Sequence, residues 1–68
     1  MNQFTKRLKE LREERKLSQN DLARELKISA ACISRWEKGL RVPNIESIML
    51  LCKYFDCSAD YLIGIADL

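Results

Sequence analysis

Apolar residues along this chain fall into short runs with helical spacing, and each run opens on a polar residue able to cap a helix. Phe4, Leu8 and Leu11 stand at i, i+4 and i+7, and no Gly or Pro interrupts residues 2–16. Asn2 is placed to cap this first helix, which is expected to be the longest. Its other face carries Lys6, Lys9, Glu10, Glu13 and Glu14 and reads as solvated surface.

The second run begins at Leu17-Ser18 and continues through Leu22, Ala23 and Leu26. Ser18 can accept from a first-turn N–H, and Asp21 three residues on makes a short-armed capping box. Leu17 and Leu22 fit a hydrophobic staple around that cap. The device recurs as Ile28-Ser29 with Ile33, and as Cys57-Ser58 with Leu62. About eleven residues separate the first two of these starts, so helices 2 and 3 have about two turns each and need packing to persist. Leu22, Ala23, Leu26, Ile33 and Trp36 are expected inside, with Ala23 small enough to let the two helices approach closely. Gly39 ends the third helix.

Leu40-Arg41-Val42-Pro43 reads as a loop, followed by Asn44 as the cap of a fourth helix, IESIMLLCKYF. That segment is apolar nearly all round, which predicts a central buried helix more readily than a ligand-binding box. Asp56-Cys57 turns the chain, Ser58 caps a fifth helix, Asp60 suits its N-terminal dipole, and Gly64 stops it. Residues 61–68 hold more apolar surface than one short helix covers; it either meets a second subunit or packs back on the same core. The prediction is an all-α, compact five-helix domain over residues 1–68. A chain of this size buries only about 60% of its unfolded surface, so dimerisation would help it.

Helix 3 decides the chemistry. With Ile33 and Trp36 inside, Ala30, Ala31, Ser34, Arg35 and Lys38 point outward, a smooth N-terminal end followed by two cations. Such a face suits close approach to a DNA groove flanked by phosphates. The net charge of +2 says little, but its distribution says more. Residues 1–41 carry eleven Lys/Arg against six acids, a net +5, whereas residues 42–68 carry one against four, a net −3. A solvated helical face accounts for many of the same charges. Cys32, Cys52 and Cys57 have no metal-ligand spacing, and no signal peptide is visible, so a reducing cytoplasm and apolar packing roles are expected. A redox sensor through Cys32 is the alternative. There is no histidine and no glycine-rich phosphate loop, which argues against an enzyme, a metal site or a cofactor, and no apolar run is long enough to span a membrane.

The string Leu17-Ser18-Gln19-x-x-Leu22-Ala23-x-x-Leu26, Ile28-Ser29, Ile33-Ser34-Arg35-Trp36-Glu37-x-Gly39, with Arg41 and Pro43 following, resembles the lambda-repressor-like (Xre/Cro-type) helix–turn–helix family. The likeness runs on to Asp60-Tyr61-Leu62-Ile63-Gly64, with the helix–turn–helix proper at residues 18–39. One departure is Lys27, where the family often has Gly in the inter-helix turn; a positive φ there would cost about 1 kcal/mol.

The resemblance implies that Gln19, Lys38 and Arg41 contact DNA phosphates, that Ser29 contacts a phosphate or a base edge, and that Ala30, Ala31, Ser34 and Arg35 read bases. It pairs Arg12 with Glu37, tying helix 1 to the reading helix; two independently solvated side chains are the alternative. It places dimer contacts in 58–68, with Ile65 and Leu68 as candidates. The implied function is a homodimeric, sequence-specific transcriptional regulator of the repressor kind, reading a pseudo-palindromic double-stranded operator. No effector domain is expected after the motif, so any signal would arrive through dimerisation, proteolysis or a partner; the apolar C-terminus favours the alternative, an interaction module or DNA-binding antitoxin whose main partner is a protein.

Overall fold

The computed structural model describes residues 3–65. Asn2, expected to cap the first helix, and Leu68 lie outside them. Five helices follow in order: α1 (Phe4–Glu14), α2 (Gln19–Leu26), α3 (Ala30–Glu37), α4 (Ile45–Phe55) and α5 (Ala59–Ile63). There is no strand among the described residues, and the all-α reading of the sequence holds. α1 is not the single longest helix, since α4 also has 11 residues.

Four of the five starts use the residues the sequence marks for them. Ser18, Ser29, Asn44 and Ser58 each have extended backbone and a side chain that accepts from the N–H three residues on. At α2 the box closes in both directions: Asp21 N–H donates to Ser18 Oγ at 2.9 Å, and Ser18 N–H donates to Asp21 Oδ2 at 3.0 Å. α1 is the exception, because the Gln3 side chain before it makes no capping bond.

All five helices stop by one device. A residue enters the left-handed region and the next N–H reaches back five positions to a last-turn carbonyl. These bonds are Leu17 to Arg12 (3.2 Å), Ile28 to Ala23 (3.0 Å), Leu40 to Arg35 (2.9 Å), Cys57 to Cys52 (3.1 Å) and Ile65 to Asp60 (2.8 Å). Only two of the left-handed residues are glycines, Gly39 and Gly64; the others are Lys16, Lys27 and Asp56, with φ between 54° and 59°.

The core takes side chains from every helix: Phe4 and Leu8; Leu22, Ala23 and Leu26; Ile33 and Trp36; Leu51 and Phe55; and Leu62. Phe4 meets Trp36 edge to face, ring centres 6.3 Å apart, the arrangement aromatic quadrupoles favour. α3 packs on α2 and α1, while α5 packs on α1 and α4. The α1–α5 seam is close. Gln3 N–H donates to the Ile63 carbonyl, and Arg7 lies over the Tyr61 ring while donating to the Tyr61 carbonyl.

α4 departs from expectation. Leu51 and Phe55 are buried, but Ile45 is 78% and Met49 65% exposed, so it is not a central helix buried all round. Only α5 among the helices packs extensively on it, which leaves one face of an apolar segment open.

Two backbone substitutions should move stability in opposite directions, read as urea midpoints. Lys27→Gly relieves the left-handed strain and should stabilise by about 1 kcal/mol. Gly64→Ala should destabilise by about 1–3 kcal/mol, because its φ is +98° and a Cβ there would sit 2.5 Å from Gln3 Cβ. An acid titration tests the α2 cap. The Ser18 N–H and then its hydroxyl hold the Asp21 carboxyl below its ordinary value. With the folded pKa below the unfolded one, the cap's contribution is complete above the usual carboxylate range and fades as pH falls through the folded pKa. The stability gap between wild type and Asp21→Asn should therefore be flat at neutral pH and close in acid.

Candidate nucleic-acid interface

α3 is a short helix clamped from behind. Arg12, buried at the end of α1, donates from Nε to Glu37 Oε2 at 2.7 Å and from Nη2 to Oε1 at 3.0 Å. Its Nη1 donates to the Leu17 carbonyl oxygen at 2.8 Å. One guanidinium therefore fixes the end of α3 against α1 and against the segment that enters α2. Hydrogen bonding to Glu37 outweighs the effect of burial and raises the Arg12 pKa above its ordinary value, so the residue stays cationic. The side chains of the pair are only 11% and 5% exposed. Such a pair holds geometry better than it adds net stability, but removing one member strands the other in a dry site.

Gln19 belongs to the same cluster, which sequence reasoning missed. Its Nε2 donates to Glu37 Oε1 at 3.1 Å, so the residue expected to hold a phosphate also joins α2 to the clamp. No sequence signal separates the two roles, since both need the same amide at the first position of α2. A second amide hydrogen and the carbonyl leave it able to make a further contact.

With the inner side of α3 fixed by Ile33 and Trp36, the outer stripe is Ala31, Arg35 and Lys38, all exposed, with Ser34 half-buried along its edge. Among the described residues the Arg35 and Lys38 side chains enter no ion pair. Ala30 is less outward than its expected role requires: it is half-buried and packs against the core.

Ser29 and Arg41 come together across a concavity of about 320 Å³ between the α2–α3 turn and the loop before α4. Asn44 and Ser47, at the start of α4, line the same hollow and were not anticipated as part of the surface. Their signal was the cap itself, because a helix N-terminus presents unpaired N–H groups. Gln19 and Lys38 lie outside the hollow.

Two short capped helices, a tight left-handed turn at Lys27 and an outward cationic stripe on the second helix form a helix–turn–helix. Residues 8–62 match the family model described as helix-turn-helix. The chain belongs to the lambda-repressor-like helix–turn–helix family. It is 37% identical over 62 residues to the HTH-type transcriptional activator BcrR of Enterococcus faecalis, covering 91% of this chain and 30% of that protein. Repressor protein C2 of Salmonella phage P22 is 35% identical over 57 residues, or 84% of this chain and 26% of the relative. The HTH-type transcriptional regulator ImmR of Bacillus subtilis is 34% identical over 59 residues, 87% and 46% respectively. The chain thus spans less than half the length of each of these relatives. The family consists of DNA-binding transcriptional regulators, not enzymes. Among the described residues no helix is long and apolar enough to cross a membrane.

A double-mutant cycle tests the clamp. Arg12→Met or Glu37→Met alone should cost about 3–5 kcal/mol, because each leaves a buried charge unpaired. The double variant should cost clearly less than the two single losses together, measured by urea denaturation. Strictly additive losses would mean that the two side chains act independently.

Proposed function

We propose that this chain reads a specific double-stranded DNA sequence as a homodimer and regulates transcription there, acting in the cytoplasm. The carrying observation is the outward stripe Ala31–Arg35–Lys38 on a helix whose other side is locked to α1 and α2. In this reading α3 lies in the major groove. Arg35 donates to a guanine O6/N7 pair, Ala31 meets a thymine methyl, and Ala30 and Ser34 border that contact. Gln19, Lys38 and Arg41 hold phosphates, with Ser29 beside Arg41 at the hollow. The whole of 1–68 acts as one DNA-binding domain. A repressor is the simplest outcome, because occupancy of an operator is enough; the relatives' names include both an activator and a repressor.

Dimerisation needs an apolar contact outside the DNA face. Ile65, 73% exposed, supplies one candidate contact; Leu68, the other residue expected there, lies outside the described residues. Leu40, Val42, Ile45 and Met49, each at least 65% exposed, supply another. That second surface also favours the alternative reading, in which a protein partner of the antitoxin kind docks beside the DNA face.

Selection of random duplexes by the purified chain, at low and near-physiological salt, tests the reading. A pseudo-palindrome with half-sites about 10 bp apart is the expected product. On that sequence Arg35→Ala should lose about 1–3 kcal/mol and relax preference at one base pair. Lys38→Ala and Arg41→Ala should weaken all sequences alike and lower the salt slope by about one unit each. Binding with no enriched sequence, abolished by salt, would turn the reading towards a protein partner.

A further inference from the structure

The closing bond at each helix stop joins the backbones of two residues five apart and brings them next to each other. At α1, α2, α3 and α5 those pairs are Arg12 with Leu17, Ala23 with Ile28, Arg35 with Leu40, and Asp60 with Ile65. At the end of α4 both members are cysteines. Cys57 N–H donates to the Cys52 carbonyl at 3.1 Å, with Asp56 left-handed at φ 54° just before Cys57. That backbone bond holds the two cysteines side by side at the turn. Both are free, half-buried and packed on the core. Cys32, the third thiol, lies on α3, away from this turn.

We propose that Cys52 and Cys57 form an oxidation site, which hydrogen peroxide converts to an intramolecular disulfide that ties the last turn of α4 to the start of α5. The inference concerns a different part of the molecule from the DNA-binding reading and stands without it. Disulfide formation needs two cysteines whose backbones are already close, and the backbone closure holds Cys52 and Cys57 together before any oxidant arrives.

The chemistry balances with one peroxide. The Cys52 thiol gives its proton to water, and the thiolate attacks a peroxide oxygen. The O–O bond breaks, Cys52 becomes a sulfenic acid, and the hydroxide released takes up a proton. Cys57 then loses its proton and attacks the Cys52 sulfur. The S–S bond forms, the S–O bond breaks, and the second hydroxide is protonated. Two thiols and one peroxide give one disulfide and two waters.

The surroundings set the pH dependence. Burial raises the Cys52 pKa, and a hydrogen bond from the Cys57 thiol partly offsets that rise. Burial, then the neighbouring Cys52 and Asp56, push Cys57 up to about 11, while Arg15 from the end of α1 acts the other way. The same balance holds with the roles of the two thiols exchanged. With both thiols protonated at neutral pH, oxidation is slow there and quickens well beyond the range where an ordinary exposed cysteine levels off.

The full chain, reduced and freed of reductant, is exposed to hydrogen peroxide at about pH 7 and about pH 9, with its helical circular dichroism recorded beforehand. Trypsin cleaves after Lys53, between the two cysteines, and so separates 42–53 from 54–68 unless a disulfide joins them. The expected result is loss of two of the three thiols, faster at the higher pH. The mass should fall by about 2 Da, the two thiol hydrogens. The two peptides should run as one species that reductant splits, while the Cys32 peptide, 28–35, stays reduced. Cys32→Ser should behave as wild type, and Cys52→Ser should give no joined species. Three surviving thiols at the higher pH, a link through Cys32, or over-oxidised Cys52 without joined peptides would each overturn the proposal. The mapping uses the wild-type chain, so no variant has to fold for it to decide.

Discussion

One buried ion pair governs how this small domain presents its surface. α2 and α3 have eight residues each, too few to hold a helix alone in water, so their relative angle must be set from outside. The Arg12 guanidinium does this by reaching the Glu37 carboxylate at the end of α3 and the Leu17 carbonyl ahead of α2, while Gln19 closes the cluster from α2 itself. A Leu at position 12 could fill the same space and could add stability, but it would carry no preference for one angle over another. Apolar packing behind the motif supplies the energy. The hydrogen bonds, being directional, supply the orientation.

The beginnings and ends of the helices illustrate what a sequence discloses. Four starts were legible because capping is done by side chains: Ser18, Ser29, Asn44 and Ser58 announce themselves by type and by the apolar residue four places later. The stops were half legible. Gly39 and Gly64 could be read, but Lys16 and Asp56 carry the same left-handed turn without a glycine. The bond that closes each stop joins two backbone groups, and backbone groups leave no trace in residue identity. Lys27 became legible only through the family pattern, which often places Gly at that position.

The misreading of α4 has a different origin. Its composition is apolar on every side, and in a larger protein that would mean a helix surrounded by others. Among the described residues too few helices lie around it: α5 covers one side, and Ile45 and Met49 are left in solvent. Periodicity reports how apolar a helix is; the number of neighbours available to cover it is a property of the whole chain. The outward exposure of Ala31, Arg35 and Lys38 was legible from helical spacing alone. Less was legible where one residue serves two masters, as Gln19 does for the clamp and Ala30 for the core.

The separation between clamp and stripe also bears on how such a protein changes over time. Arg35 and Lys38 take no part in the ion pairs that hold α3, and Ala31 is absent from the core. Their identities can therefore drift while the scaffold stays put. Duplicate copies could diverge to address different sites by altering a handful of codons, each intermediate still folding. The same partition would let an experimenter exchange the stripe for another without redesigning anything beneath it.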